Sequence, residues 1–319
     1  FGCNVPAIYA TRTIENQSAR KLTALLIPFM SCSARLPVYV IFSLAFFPRH
    51  GDLVIWSMYL LGVVVAAIVG LILSRVLFRG ESAGILIMEL PPYSLPSLAD
   101  LLALTWQRSL NFVRKAGTLI LGMSVVLWLL MHLPLGVTSP EESLFGRVSS
   151  AVAPVFAPAG FDDWSASGAL IAGVVAKEVV ISSLAQIHLG ENAAIDAAGD
   201  APFAPLAAAT QVVIDLGHAT VEAGRQLVDA LTPGVALFAA PTQATDSALT
   251  QALQGVFTPL SALAFLAFVV LYVPCAATIG AQSHEFGRAW AWLTVALTLI
   301  VPWCVAVLVF QGGRLLGFG

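Results

Sequence analysis

The chain has 319 residues, of which 58% are hydrophobic and only 10% are charged, and its formal net charge is -3. Soluble domains carry about 25% charged residues, so this composition, with a mean hydropathy of +0.88, excludes an ordinary soluble globular protein. No tract of lysine and arginine suits a nucleic-acid partner. Several apolar stretches reach the roughly 20 residues that a helix needs to cross a bilayer. The composition therefore predicts an all-α, polytopic helical membrane protein.

Residues 1–80 combine long apolar stretches with residues that lipid-facing helices rarely hold. Two prolines interrupt the first apolar stretch, 22–47, and a third follows a cysteine and an asparagine near the start of the chain. Proline frees backbone groups that hydrocarbon cannot satisfy, so such a segment must face protein or a water-filled path. We therefore predict broken helices here and assign gating or structural roles to three prolines: Pro6, Pro28 and Pro37.

Four more segments follow along the chain. Residues 81–116 form a predicted amphipathic helix at the membrane interface, because apolar residues recur on one side and positive charges on the other. Residues 117–188 contain one span and a second, broken hairpin. Residues 189–259 form an alanine-rich insertion, and residues 260–319 hold the C-terminal spans. The predicted spans and hairpin are 22–47, 53–78, 117–133, 168–187, 260–282 and 289–311.

The distribution of lysine and arginine sets the predicted orientation. Positive residues cluster in 11–21 and 75–115, which places those connections in the cytoplasm, whereas the acidic connections 134–164 and 188–259 read as external. The segment 168–187 must then enter and leave on one side, as a re-entrant or broken hairpin. With residues 1–10 as its counterpart from the opposite face, this pattern predicts an inverted repeat with a binding site near mid-membrane.

The first candidate site joins four side chains that offer thiol, thioether and amide ligands: Cys3, Asn4, Met30 and Cys32. Such ligands suit a borderline or soft cation such as Fe²⁺. A conducting site must also release its ion, so one or two thiols helped by backbone carbonyl groups fit better than a cage of thiolates. The alternative is that the cysteines and the methionine are apolar packing residues.

The second candidate site lies in the predicted hairpin, where Lys177 and Glu178 follow one another. A charge at the bilayer centre costs roughly 2.5–3.5 kcal/mol on insertion scales, so each needs a partner or water. Glu178 is a predicted cation ligand or proton acceptor. Lys177 is predicted to pair with a buried acid or to anchor the hairpin tip. A purely structural salt bridge to another helix is the alternative.

The third candidate site is Pro274 with Cys275, a counterpart of the first site in the second half of the chain. The proline frees a carbonyl near mid-depth, and the thiol lies beside it. Arg35 is one helical turn from Cys32, where its charge would repel a cation. We therefore expect Arg35 to have a carboxylate partner or a role in gating. Cys304 reads as a structural residue.

Five motifs in this order resemble the membrane region of the ferrous-iron transport protein B family. They occupy 1–13, 28–37, 88–93, 175–180 and 271–275. The resemblance implies Fe²⁺ uptake across the bacterial inner membrane through paired gate elements, which are shared more distantly with nucleoside-transporter-like proteins. By motif position, it also implies that four residues carry the family's proposed metal ligands: Cys3, Cys32, Cys275 and Glu178.

The same resemblance implies partners outside this sequence. The family has a cytoplasmic GTP-binding domain ahead of its membrane part, and we expect that domain to precede Phe1. GTP and Mg²⁺ would act only through it, so the chain itself is predicted to be a transporter segment and not an enzyme. Small accessory transport proteins and a homo-oligomer are further expected partners, besides the lipid bilayer.

Three other functions fit parts of the sequence. A gate-type transporter for an organic solute such as a nucleoside would use the same broken helices without any thiol. An intramembrane enzyme would use Glu178 and Lys177 as acid and base, but no second catalytic cluster lies near membrane depth. A non-transporting scaffold is the last alternative.

Overall fold

The computed structural model of the chain describes residues 2–77, 97–133, 141–175, 177, 180–181, 183–184 and 245–317. These residues form α-helices joined by short 3₁₀ turns, and no strand occurs among them. The motif at 88–93, Glu178 and most of the alanine-rich insertion lie outside the described residues. The α-helices are α1 (Asn4–Ala10), α2 (Gln17–Leu26), α3 (Leu36–Phe46), α4 (Gly51–Val76), α5 (Leu98–His132), α6 (Leu144–Val152), α7 (Trp164–Val175), α8 (Thr245–Val256), α9 (Pro259–Leu271), α10 (Ala276–Phe286) and α11 (Arg288–Leu315).

Four helical stretches in the described part of the chain are long and apolar enough to cross a membrane: Gln17–Phe46, Gly51–Val76, Pro259–Phe286 and Arg288–Leu315. They coincide with four of the predicted spans, so the prediction of an all-α, polytopic membrane protein is confirmed. The predicted span at 117–133 is not among them. It lies within α5, whose apolar part, Leu121–Met131, is shorter than a span because charged residues occur in the first half of that helix.

The first span is broken at its prolines, as the sequence predicts. After α2, a 3₁₀ turn at Ile27–Phe29 contains Pro28 and gives way to extended backbone at Met30 and Cys32. A second 3₁₀ turn, Ser33–Arg35, leads into α3, where Pro37 lies in the first turn. Proline has no N–H to donate, so it ends one helix but fits the first turn of the next.

The span Pro259–Phe286 is broken in the same manner. α9 ends at Leu271, residues 272–275 run as extended chain around Pro274, and α10 begins at Ala276. α9 is apolar on every side and buried along nearly its whole length, which is typical of a helix at the centre of a bundle. The ring of Phe265 on this helix packs against the rings of Phe42 and Phe257, each at a centroid distance of 5.1 Å.

The third broken element differs from the prediction. The sequence predicts an external connection at 134–164 and a hairpin that begins at 168, whereas α6 and a 3₁₀ segment, Ala153–Ala159, form the first arm of a bent helix pair. Phe145 and Phe156 on this arm are buried. The arm bends by 105° into α7, so the break lies at 160–163. The inverted repeat of the two gate elements stays a prediction.

Gly160 makes this bend possible. It adopts a φ of 80°, and a Cβ at this position would lie 2.1 Å from the ring of Phe310. Only glycine combines a left-handed backbone with so close an approach. α11 holds the same arm through two side chains, since Trp303 Nε1 donates to Val155 O and Gln311 Nε2 donates to Pro158 O, each at 2.9 Å.

Candidate functional site

The two broken spans meet at Arg35. This side chain is 0% exposed, and its guanidinium donates to Met30 O at 3.2 Å, to Pro28 O at 3.3 Å and to Tyr272 O at 3.2 Å. A helix break leaves carbonyl oxygens without intrahelical partners, and a guanidinium, with five donors, can satisfy several of them. Among the described residues, the partners of Arg35 are backbone oxygens, and its expected carboxylate partner or gating role stays a prediction.

Lys177 reaches the same point from the third broken element. It is 3% exposed, its Nζ lies 3.4 Å from Tyr272 O, and the ammonium sits 3.6 Å from the centroid of the Tyr272 ring. A carbonyl dipole and an aromatic face both stabilise a cation away from water. The described partner of Lys177 is again a backbone oxygen, and its predicted pairing with an acid or anchoring of the hairpin tip stays a prediction. We call Arg35, Lys177 and Tyr272 the Tyr272 junction.

Two of the candidate thiols surround this junction. Cys32 and Cys275 are partly buried, and both lie near enough to Lys177 to interact with it electrostatically. The thiol of Cys275 is 3.2 Å from Thr278 Oγ1. The structure thus brings Cys32, Cys275 and Lys177 together from three separate parts of the chain.

The beginning of the chain joins the same region. Ser33 donates to Gly2 O through its N–H at 3.1 Å and through its hydroxyl at 3.3 Å, so Cys3 and Cys32 lie on adjoining backbone segments. Cys3 is exposed, and Asn4 is buried in the first turn of α1. α1 continues through Pro6, which occupies its first turn and does not break it.

The remaining candidate residues fall into different environments. Met30 packs against the main apolar core, which agrees with its interpretation as a packing residue. Cys304 is exposed on α11. No disulfide joins the four cysteines, and within the described ranges no three His, Cys, Asp or Glu side chains come together as a metal cage.

A charged cluster at the opposite end of α10 was missed from the sequence. Glu285 accepts from Arg12 Nε at 2.9 Å and from Arg20 Nη2 at 3.0 Å, and His284 lies beside it. From the sequence, the two arginines serve only as markers of orientation. Nothing local in the sequence couples them to a carboxylate more than 260 positions away, so this contact depends on tertiary packing, including that of α1 against α10.

Comparison with known proteins supports a single family. The Gate model, described as nucleoside recognition, matches residues 113–289, which is more than half of the chain. A second model, the ferrous iron transport protein B C terminus, matches residues 55–108. No solved structure shows a significant match.

Curated relatives align along almost the whole chain. A Fe(2+) transporter FeoB of Staphylococcus aureus (strain COL) is 36% identical over 318 residues, and one of Methanocaldococcus jannaschii is 35% identical over 327 residues. Each alignment covers 99% of this chain but 40% of the relative. A Porphyromonas gingivalis relative, 32% identical over 99% of this chain and 37% of its own length, is named a Fe(2+) transport protein A/Fe(2+) transporter FeoB fusion protein. The chain therefore belongs to the Gate family, and its residues 55–108 are similar to the C terminus of ferrous iron transport protein B.

Proposed function

We propose that the chain forms the membrane path of a ferrous iron transporter. The observation that carries this proposal is the meeting of three broken elements, two of them bearing thiols, at the Tyr272 junction. Broken helices at membrane depth are tolerated where they are enclosed by protein or line a path. The names of the relatives, which span about two and a half times the length of this chain, supply the cargo, Fe²⁺.

Cys32 and Cys275 are the proposed principal ligands, with backbone carbonyl groups of the two breaks beside them. Cys3, Asn4, Met30 and Glu178 remain further predicted ligands. A thiol must lose its proton to bind a metal, so ion entry is coupled to proton release. A few ligands of this kind bind weakly enough for an ion to leave again.

Arg35 and Lys177 are the proposed gate. At an effective dielectric constant of about 20, two unit charges about 4 Å apart repel each other by about 4 kcal/mol, and a divalent ion meets more than that. An ion therefore cannot occupy the junction while both cations point at Tyr272 O. We infer that the described arrangement is the closed path, and that opening moves at least one of the two cations away.

The setting of this path follows from the resemblance and the relatives. We propose a location in the bacterial inner membrane and coupling to a GTP-binding domain, which would bind GTP with Mg²⁺. The fusion protein of Porphyromonas gingivalis supports a small accessory partner related to transport protein A. Self-association into a homo-oligomer belongs to the same proposal.

Influx into sealed vesicles tests the function directly. The protein, in the form that its host makes, is reconstituted into lipid vesicles that enclose a Fe²⁺-sensitive dye. The initial rate of Fe²⁺ influx is then measured in the absence of oxygen. We expect Cys32→Ser and Cys275→Ser to lower the rate at least tenfold. Cys304→Ser is the matched control, because that thiol is exposed on α11 away from the junction. Unchanged influx in both thiol variants would remove the thiols from the mechanism.

A transporter for an organic solute is the second candidate function. The description of the Gate model, nucleoside recognition, favours it, and so does the positive charge of Arg35 and Lys177, which suits an electron-rich solute better than a cation. In the same vesicles, this function predicts uptake of radiolabelled uridine or adenosine by the Cys32→Ser variant. It also predicts that Fe²⁺ does not compete.

A further inference from the structure

One face of α10 carries a continuous line of polar groups. It begins at Cys275, the residue that precedes the helix, and continues through Thr278 and Gln282 to Glu285. At 3.6 residues per turn these four positions fall within an arc of about 80°. We call these four residues the polar stripe.

The polar stripe connects two places that the structure has already defined. One end is the thiol beside the Tyr272 junction, and the other is the carboxylate held by Arg12 and Arg20. Ten residues of helix rise about 15 Å, which is half the thickness of a hydrocarbon core of about 30 Å. The stripe is therefore long enough to connect the middle of such a core with one of its surfaces.

The middle of the stripe is buried and incompletely satisfied. Thr278 and Gln282 are each 1% exposed. The amide oxygen of Gln282 has no hydrogen-bond partner in the described part of the chain. An unpaired buried acceptor costs stability, and an apolar side chain of similar size would remove that cost. A buried acceptor that has no partner among the described residues is thus better explained by a ligand than by packing.

We propose that Gln282 Oε1 and Thr278 Oγ1 form a transfer site for a divalent cation between Cys275 and the end of α10. This inference rests on the proposed function and adds a second step to the same path. Amide and hydroxyl oxygens bind Fe²⁺ more weakly than thiolates do, so the site accepts an ion from Cys275 without trapping it. Glu285, occupied by its two arginines, closes the far end of the stripe.

The test uses the reconstituted protein and Fe²⁺ itself. Gln282→Leu removes the oxygen and keeps the volume, and Gln282→Glu restores an oxygen ligand. Gln251→Leu is the matched control, because Gln251 is exposed on α8. We expect Gln282→Leu to lower initial Fe²⁺ influx at least fivefold while its Tm equals or exceeds that of the unmodified protein. Gln282→Glu should retain clearly more influx than Gln282→Leu, and Gln251→Leu should stay within twofold of the unmodified protein.

The alternatives give different results. Influx in Gln282→Leu that falls less than fivefold overturns the transfer site and leaves the proposed function standing. A lowered Tm in Gln282→Leu, with equal loss of influx in Gln282→Glu, identifies Gln282 as a packing residue and also overturns it. Absence of Fe²⁺ influx in the unmodified protein overturns the proposed function, and the transfer site with it.

Discussion

Arg35 and Lys177 donate to one and the same acceptor, the backbone carbonyl oxygen of Tyr272, at 3.2 and 3.4 Å. A carbonyl oxygen has two lone pairs and can accept both. Two buried cations share this oxygen, and no described carboxylate bonds to either of them. Their position is therefore set by the helix break at 272–275, which exposes the carbonyl group.

Loss of the Arg35 guanidinium should destabilise the protein strongly. We expect Arg35→Gln to lower the free energy of unfolding by about 3 kcal/mol, because three buried carbonyl oxygens lose their donor. Unfolding in detergent, followed by circular dichroism against denaturant, measures the change. Arg49→Gln, at an exposed arginine, is the control and should change stability by less than about 0.5 kcal/mol. Equal effects of the two substitutions would contradict the role of Arg35.

Removal of the Lys177 charge should open the path. We expect Lys177→Met to raise the basal Fe²⁺ influx of the reconstituted protein severalfold, because it removes one of the two positive charges that repel the ion. Lys177→Arg keeps the charge and should retain the original rate. Equal rates in the methionine and arginine variants would show that the charge of Lys177 does not gate the path.

Glu285 and Arg20 should be energetically coupled. A double-mutant cycle with Glu285→Gln and Arg20→Gln should give a coupling of about 1 kcal/mol, the upper end for ion pairs near a surface, since little of either side chain is exposed. Chemical denaturation of the four proteins measures it. The same cycle with Arg288→Gln, an exposed residue next to α10, should give a coupling near zero. A coupling near zero between Glu285 and Arg20 would show that their contact contributes nothing to stability.

The bend at Gly160 should not tolerate a side chain. We expect Gly160→Ala to lower the free energy of unfolding by about 3 kcal/mol, through left-handed strain and the clash with the Phe310 ring. Gly255→Ala is the control. A Cβ there meets nothing within 4 Å, and within a helix alanine is favoured by about 1 kcal/mol. The Tm should therefore fall in Gly160→Ala and rise in Gly255→Ala. A shift of both Tm values in the same direction would contradict the geometry of the bend.

The sequence predicted the features that depend on single segments. Four spans follow from hydropathy, and the breaks at Pro28 and Pro274 follow from the missing N–H of proline. The arm at 144–159 was missed because it is short and flanked by acidic residues and prolines, which are typical of a loop. Its burial depends on α11, whose side chains hold it from a distant part of the chain.

The sequence pointed to Arg35 and Lys177 but not to the acceptor that they share. Both residues stand out because charge at membrane depth is costly, and a carboxylate partner was one of two expectations for each. Their acceptor is a backbone oxygen, which every residue has, so no pattern of side chains distinguishes Tyr272 from its neighbours. The stripe on α10 has visible helical spacing, yet only packing shows that Gln282 is buried.

The Tyr272 junction also constrains the order of membrane insertion. Arg35 and its acceptor are 237 residues apart, so the first broken helix leaves the ribosome long before the oxygen that completes its hydrogen bonding has been synthesised. The other two acceptors, Pro28 O and Met30 O, belong to the first broken helix itself, so that segment can satisfy part of its hydrogen bonding alone. The junction is therefore completed only when the second broken helix, synthesised last of the two, packs against the first.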